Sequence, residues 1–250
     1  MQTSSLAAPS VRLAGSFSHA EGVLFENLEL TLPAQSWTCL LGVSGVGKST
    51  LLRLLAGLST GGRFDGSISA HDGLILPERI AYMGQSDLLP PWLNVRESVT
   101  LGARLRGDTP DFDRADTLID QVGLSQHAHK LPKALSGGMR QRAALARTLM
   151  ESRPIALLDE PFSALDARTR ADMQELAHAT LVGRTVLLVT HDPGEAARLG
   201  DVIYLMSADG LESMPVPTRP PIRAVDAHET LQVQTQLLQA LRSARLPSSQ

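Results

Sequence analysis

The residues Gly42-Val43-Ser44-Gly45-Val46-Gly47-Lys48-Ser49 follow the spacing G-x-x-x-x-G-K-S. Glycines let a chain curl until successive backbone N–H groups point inward at phosphate oxygens. A lysine at this place adds a point charge near the outer phosphates, and the serine hydroxyl can ligate Mg²⁺. Trp37-Thr38-Cys39-Leu40-Leu41 reads as a short buried strand before the loop, and Leu51-Leu52-Arg53-Leu54-Leu55 as a helix after it. The positive end of that helix adds to the pull of the loop's amides on an anion. The loop says nucleotide phosphate; it does not say which nucleotide, or what its energy drives.

Four apolar residues, Ile155-Ala156-Leu157-Leu158, run into the acidic pair Asp159-Glu160. A buried strand here puts Asp159 at its carboxyl end beside the phosphate loop, where open parallel sheets bind ligands. Asp159 would act through Mg²⁺, and Glu160 would polarise an attacking water as general base. The plainer reading of the pair is an acidic turn. Leu135-Ser136-Gly137-Gly138-Met139-Arg140-Gln141 holds two glycines at the opening of a helix, which makes a second anion-binding nest. Ser136 alone would read as an N-cap, but paired glycines are poor helix formers. One nucleotide does not need two cradles, so Ser136-Gly137-Gly138 is expected to grip the γ-phosphate of ATP held on another subunit.

The elements that must position these residues follow from periodicity. Val23-Leu24-Phe25 and Leu28-Glu29-Leu30-Thr31-Leu32 alternate as half-buried strands do, so an antiparallel β layer is expected over 11–35. Strands are expected at 66–70, 79–85, 155–158 and 185–190. Helices are expected at 95–105, 114–122, 138–150, 166–181 and 230–246. Continuous apolar strands alternating with helices imply an α/β fold with a mainly parallel sheet covered on both faces. Residues 86–135 read as a helical insertion. Residues 1–10 read as loose, and past Met206 the pattern thins to a proline-rich loop before the last helix.

The chain has 250 residues, enough for a sizeable core, and a net charge of −3 that offers no electrostatic case for nucleic acid. Its one cysteine, Cys39, reads as a small buried apolar residue. No apolar run approaches the roughly 20 residues needed to span a bilayer, and no secretory signal is visible in 1–10.

Taken in order, these segments resemble the ATP-binding subunits of ABC transporters over about residues 11–210. Gly42 to Ser49 is similar to Walker A, with Thr50 following it; Ile155 to Asp159 is similar to Walker B; Leu135 to Gln141 is similar to the family signature. The resemblance implies a P-loop NTPase fold with an antiparallel β subdomain near the N-terminus. It implies ATP and Mg²⁺ as cofactors, with Ser49, Gln85 and Asp159 at the metal. Gln85 corresponds to the glutamine that senses the γ-phosphate. Asp166, in Ser163-Ala164-Leu165-Asp166, corresponds to the loop that crosses a dimer interface, and His191 to the switch histidine on the γ-phosphate. Phe17 falls where an aromatic stacks on adenine, with Phe25 as a nearby competitor and core packing as the plain alternative for both.

The implied mechanism is a head-to-tail pair of copies that sandwiches two ATP molecules. Its partners would be transmembrane permease subunits and, indirectly, a solute-binding protein, on the cytoplasmic face of the cell membrane, with no nucleic acid. Leu88-Leu89-Pro90-Pro91-Trp92-Leu93 is expected to dock the permease, unless Trp92 packs on its own insertion. The stretch Tyr82 to Val95 is similar to the importer branch for nitrate, taurine, alkanesulfonates and thiamine precursors. Val99 to Gly107 is most similar to the hydroxymethylpyrimidine members, with sulfonate or taurine import as the rival. A soluble ABC ATPase acting on DNA or ribosomes fits poorly, and a P-loop kinase lacks the signature. Residues 211–250 are expected as an extension that ends in a helix.

Overall fold

The computed structural model describes residues 8–244. They form two compact units: the first takes in the chain up to Ile80, Pro154–Asp159 and the chain from Gly183, the second Ala81–Arg153 and Glu160–Val182. The second unit is wider than an insertion over 86–135, because it also takes in the helices at 137–150 and 167–180.

In the first unit, β1 (Val11–His19) pairs antiparallel with β2 (Gly22–Leu32) and with β4 (Arg63–Ala70), giving the order β2-β1-β4. Val11, Leu13 and Phe17 are buried on one face of β1, as the two-residue strand period requires. Residues 8–10 are tied in rather than loose: the Pro9 carbonyl accepts from Thr185 Oγ1 at 2.7 Å and the Ser10 carbonyl from His71 N at 3.0 Å. Residues 1–7 lie outside the described residues.

The second sheet of this unit contains β3 (Trp37–Gly42), β6 (Ile155–Asp159), β7 (Thr185–Thr190), β8 (Val202–Ser207) and β9 (Gly210–Met214), in the order β6-β7-β3-β8-β9. The contacts among β6, β7, β3 and β8 are parallel, and β9 returns antiparallel. Every residue of β3, β6 and β7 is buried, which is why these strands carry continuous apolar runs. Cys39 sits fully buried in β3, where desolvation, then the charge of Glu195, pushes its thiol well above the usual range. The helices α1 (Lys48–Leu55), α7 (Pro193–Leu199) and α8 (His228–Ser243) complete the unit, with α8 packed on α7. The expected last helix thus starts at His228, and its reach to 246 lies partly outside the described residues.

The second unit opens with β5 (Ile80–Met83) and holds α2 (Val95–Val99), α3 (Leu101–Arg106), α4 (Phe112–Gln121), α5 (Gly137–Met150) and α6 (Ala167–Thr180). The single helix expected over 95–105 is broken at Thr100, whose hydroxyl donates to the Arg96 and Glu97 carbonyls and competes with the helical ladder. Asn94 and Glu97 form a reciprocal capping box that starts α2. The core is built where α2, α4 and α5 meet, from Val95, Val99, Leu118, Ile119, Leu145 and Leu149. Among the described residues no helix is long and apolar enough to cross a membrane.

Candidate functional site

Strand register sets the first half of the site. Leu41 is level with Thr190 across β3 and β7, Asp159 with Val189 across β6 and β7, and Gly42 with Met206 across β3 and β8. The loop after β3, the carboxylate ending β6 and the histidine after β7 therefore leave one end of one sheet. This is where open parallel sheets hold ligands.

In the loop, Gly45 (φ 82°) and Gly47 (φ 111°) are left-handed, and Gly47 caps α1. A side chain at Gly42 would meet the Met206 carbonyl at 2.6 Å, and one at Gly47 would meet Leu24 at 3.1 Å. At Gly45 nothing lies within 4 Å, so that side of the loop is open. Val46 is buried and anchors the turn. Lys48 is 5% exposed, and its Nζ donates to the carbonyls of Gly42 at 2.7 Å and Val43 at 2.8 Å. Val43, Ser49 and Thr50 are half-buried at the rim, and Ser44 is exposed.

Asp159 is 2% exposed at the end of β6. Ser49 and Asp159 supply hard oxygen donors, and among the described residues no group of three His, Cys, Asp or Glu could hold a metal by itself. That donor set fits Mg²⁺, which takes one or two carboxylates and completes its shell with water and substrate phosphates.

His191 is exposed immediately after β7. Its turn is fixed from below: Thr190 Oγ1 donates to Glu195 at 2.7 Å and accepts from Asp192 N at 3.0 Å, while Asp192 caps α7 through Gly194 N.

Phe17 is not available to a base. It is 1% exposed, stacked on Phe25 at 5.8 Å and covered by Gly62, where an added Cβ would sit 2.4 Å from the ring. The alternation of Val11, Leu13 and Phe17 on one strand face already carried that signal. Phe25 is buried too. The exposed ring is His19, edge-on to Phe17 at 4.9 Å. His19 closes the β1–β2 hairpin opposite Gly22, two residues before the Leu24 that lies over Gly47.

The second unit carries the remaining residues. Gln85 is exposed after β5. Ser136 caps α5, accepting from Met139 N at 3.3 Å. A Cβ on Gly138 would meet the Ala164 carbonyl at 3.1 Å, but one on Gly137 would meet nothing nearer than Arg140 at 4.0 Å. The protein's own packing therefore does not require a glycine at 137. Asp166 caps α6; the hydrogen bond from Thr169 N, at 3.1 Å, holds its carboxyl below the usual range.

Glu160 is half-buried with φ 48°. The three arginines behind the signature are spent on structure. Arg140 pairs with Asp87 at 3.0 Å, Arg142 holds the Val122 carbonyl, and Arg147 holds those of Leu88 at 2.7 Å and Asp87 at 2.9 Å. Trp92 is 75% exposed, so it does not pack into its own insertion. Sequence reasoning missed Gln141 as more than the end of a motif. It heads the buried stripe Gln141, Ala144, Leu145, Thr148 of α5, a polar group on an apolar face.

Comparison with known proteins identifies the family. A family model described as ABC transporter matches residues 25–163. A Haemophilus influenzae protein named as an uncharacterized ABC transporter ATP-binding protein is 50% identical over 186 residues, covering 73% of this chain and 75% of that one. An aliphatic sulfonates import ATP-binding protein of Agrobacterium fabrum is 44% identical over 188 residues, covering 73% and 70%. Among solved structures, a bacterial Atm1-family ABC exporter with ATP bound superposes with a TM-score of 0.71 at 26% identity, covering 83% of this chain. This chain spans only 39% of that exporter. The chain belongs to the ABC transporter family, as an ATP-binding subunit that hydrolyses ATP coupled to transport.

Proposed function

We propose that this protein drives uptake of an aliphatic sulfonate through a separate permease. The observation that carries the substrate class is the run of sulfonate-import relatives, at 41% to 44% identity over about three quarters of the chain. That support falls on the sulfonate side; the similarity of Val99 to Gly107 to thiamine-precursor members gains none from these relatives.

In the catalytic reading, Gly42 to Thr50 hold the phosphates of ATP and Lys48 turns from its carbonyls to the outer phosphates. Ser49, Asp159 and Gln85 would hold Mg²⁺, which neutralises developing phosphate charge when bound. Glu160 takes the proton of the attacking water and His191 orients the γ-phosphate. Ser136-Gly137-Gly138 grips the ATP of a second copy in a head-to-tail pair, which the open space at Gly137 supports. Asp166 belongs to the loop facing that second copy. His19, rather than Phe17, stacks on the adenine. A solute-binding protein delivers the sulfonate to the permease, whose cytoplasmic face this chain meets through Leu88 and Trp92.

Deleting the gene should abolish growth on an alkanesulfonate as sole sulfur source. The wild-type gene should restore it, and Glu160→Gln should not. Undisturbed growth on sulfonates would overturn the substrate class, and rescue by Glu160→Gln would overturn the general base.

A further inference from the structure

Among the described residues of the second unit, two that are not glycine have left-handed backbones: Leu88 (φ 47°) and Glu160 (φ 48°). Such conformations persist only where their surroundings over-determine them. In both cases α5 supplies the constraint. Arg147 holds the Leu88 carbonyl, and Gln141 donates through Nε2 to the Glu160 carbonyl at 2.9 Å.

Gln141 does more. It is 8% exposed, and its amide is used at both ends. Nε2 also reaches Ser163 Oγ at 3.2 Å, and Oε1 accepts from Ala164 N at 2.8 Å. Ser163 Oγ donates in turn to the Glu160 carbonyl at 3.0 Å. A single side chain thus closes a ring through the turn that follows Glu160. Losing that ring would free the Glu160 peptide, and with it the direction of the Glu160 carboxylate.

We propose that Gln141 is a positioning residue for hydrolysis: it locks the backbone of Glu160 and Ala164 to the helix that opens at Ser136-Gly137-Gly138. This rests on Glu160 being the general base and on the signature serving a second copy's ATP. On that footing, the group that grips one ATP and the base that activates water against the other move as one body.

The test uses the full-length chain with Gln141→Glu, which keeps the acceptor for Ala164 N and loses both donated bonds. Because the phosphate loop is untouched, ATP affinity should stay within about twofold while kcat falls about tenfold or more. Combined with Glu160→Gln, the substitution should cost nothing further, a masking that general loss of stability would not produce. Normal turnover by Gln141→Glu beside an inactive Glu160→Gln would overturn the inference. An active Glu160→Gln would remove the base reading and this inference with it. Should Gln141→Glu not fold, Ser163→Ala decides the matter: a loss of about threefold in kcat at unchanged ATP affinity supports the lock, and an unchanged kcat rejects it.

Discussion

At the scale of single residues, the clearest lesson lies at the end of β1. Phe17 and His19 are two residues apart on one strand, yet one is sealed and the other open because the strand ends there. Base–aromatic stacking contributes about 1–3 kcal/mol, so His19→Ala should weaken ATP binding roughly tenfold in a fluorescence titration. Phe17→Leu should instead lower the melting temperature and leave ATP affinity alone; the opposite pattern would return the adenine to Phe17. The phosphate-loop motif was legible because all its information is local: each glycine, the lysine and the serine lie within eight residues of chain. The adenine-stacking residue was less so, because motif position and strand parity gave conflicting advice about Phe17 and parity won.

At the scale of elements, α7 is the helix that follows His191, and it is only 7 residues long. Isolated helices of that length are not stable in water, so its neighbours must hold it. Arg223 does so from the C-terminal segment. It is 6% exposed and donates through Nη1 to the Ala197 and Gly200 carbonyls, both at 2.9 Å. Its backbone N donates to the Arg198 carbonyl at 3.1 Å, and Arg198 Nε returns a bond to the Arg223 carbonyl at 3.0 Å. A cation on the carbonyl end of a helix is also favoured by the helix dipole. Burial, the main cause, pulls the Arg223 pKa below its usual value. Arg223→Met would strand several buried carbonyls at about 1–3 kcal/mol each. We expect at least about 2 kcal/mol of destabilisation, seen as a fall in Tm of roughly 5 °C. An unshifted melting curve would mean the carbonyls find other donors. None of this was legible in residues 207–250, because the partners of Arg223 at α7 lie about twenty-five residues away and are backbone groups with no sequence signature. The break at Thr100 was hidden for a similar reason, since a threonine that back-bonds to its helix looks like any other in the sequence.

At the scale of the whole molecule, the chain passes repeatedly between two units, and Asp159 and Glu160 fall on either side of one such passage. The parallel character of the sheet, with the phosphate loop, Asp159 and His191 each following a buried strand, was readable from apolar runs; the strand order was not. The extent of the second unit was not, because packing among α2, α4 and α5 depends on contacts far apart in sequence. Its exposed apolar residues include Leu88, 60% exposed, and Trp92, 75% exposed. If they meet the permease, Trp92→Asp should leave the chain's own ATP turnover unchanged and abolish co-purification with the membrane subunits. Retained co-purification would move the docking site elsewhere.

The burial of Cys39 has its own consequence. It is the protein's single sulfhydryl, lodged in the strand that ends at the phosphate loop, with an added Cβ on Gly200 meeting its sulfur at 3.2 Å. Thiolate chemistry needs both access and a lowered pKa, and Cys39 has neither. Glutathione and nitrosating agents therefore find no handle on Cys39 in the folded protein, and no disulfide can link two folded copies through it. The nucleotide-binding strand is chemically deaf to the redox state around it.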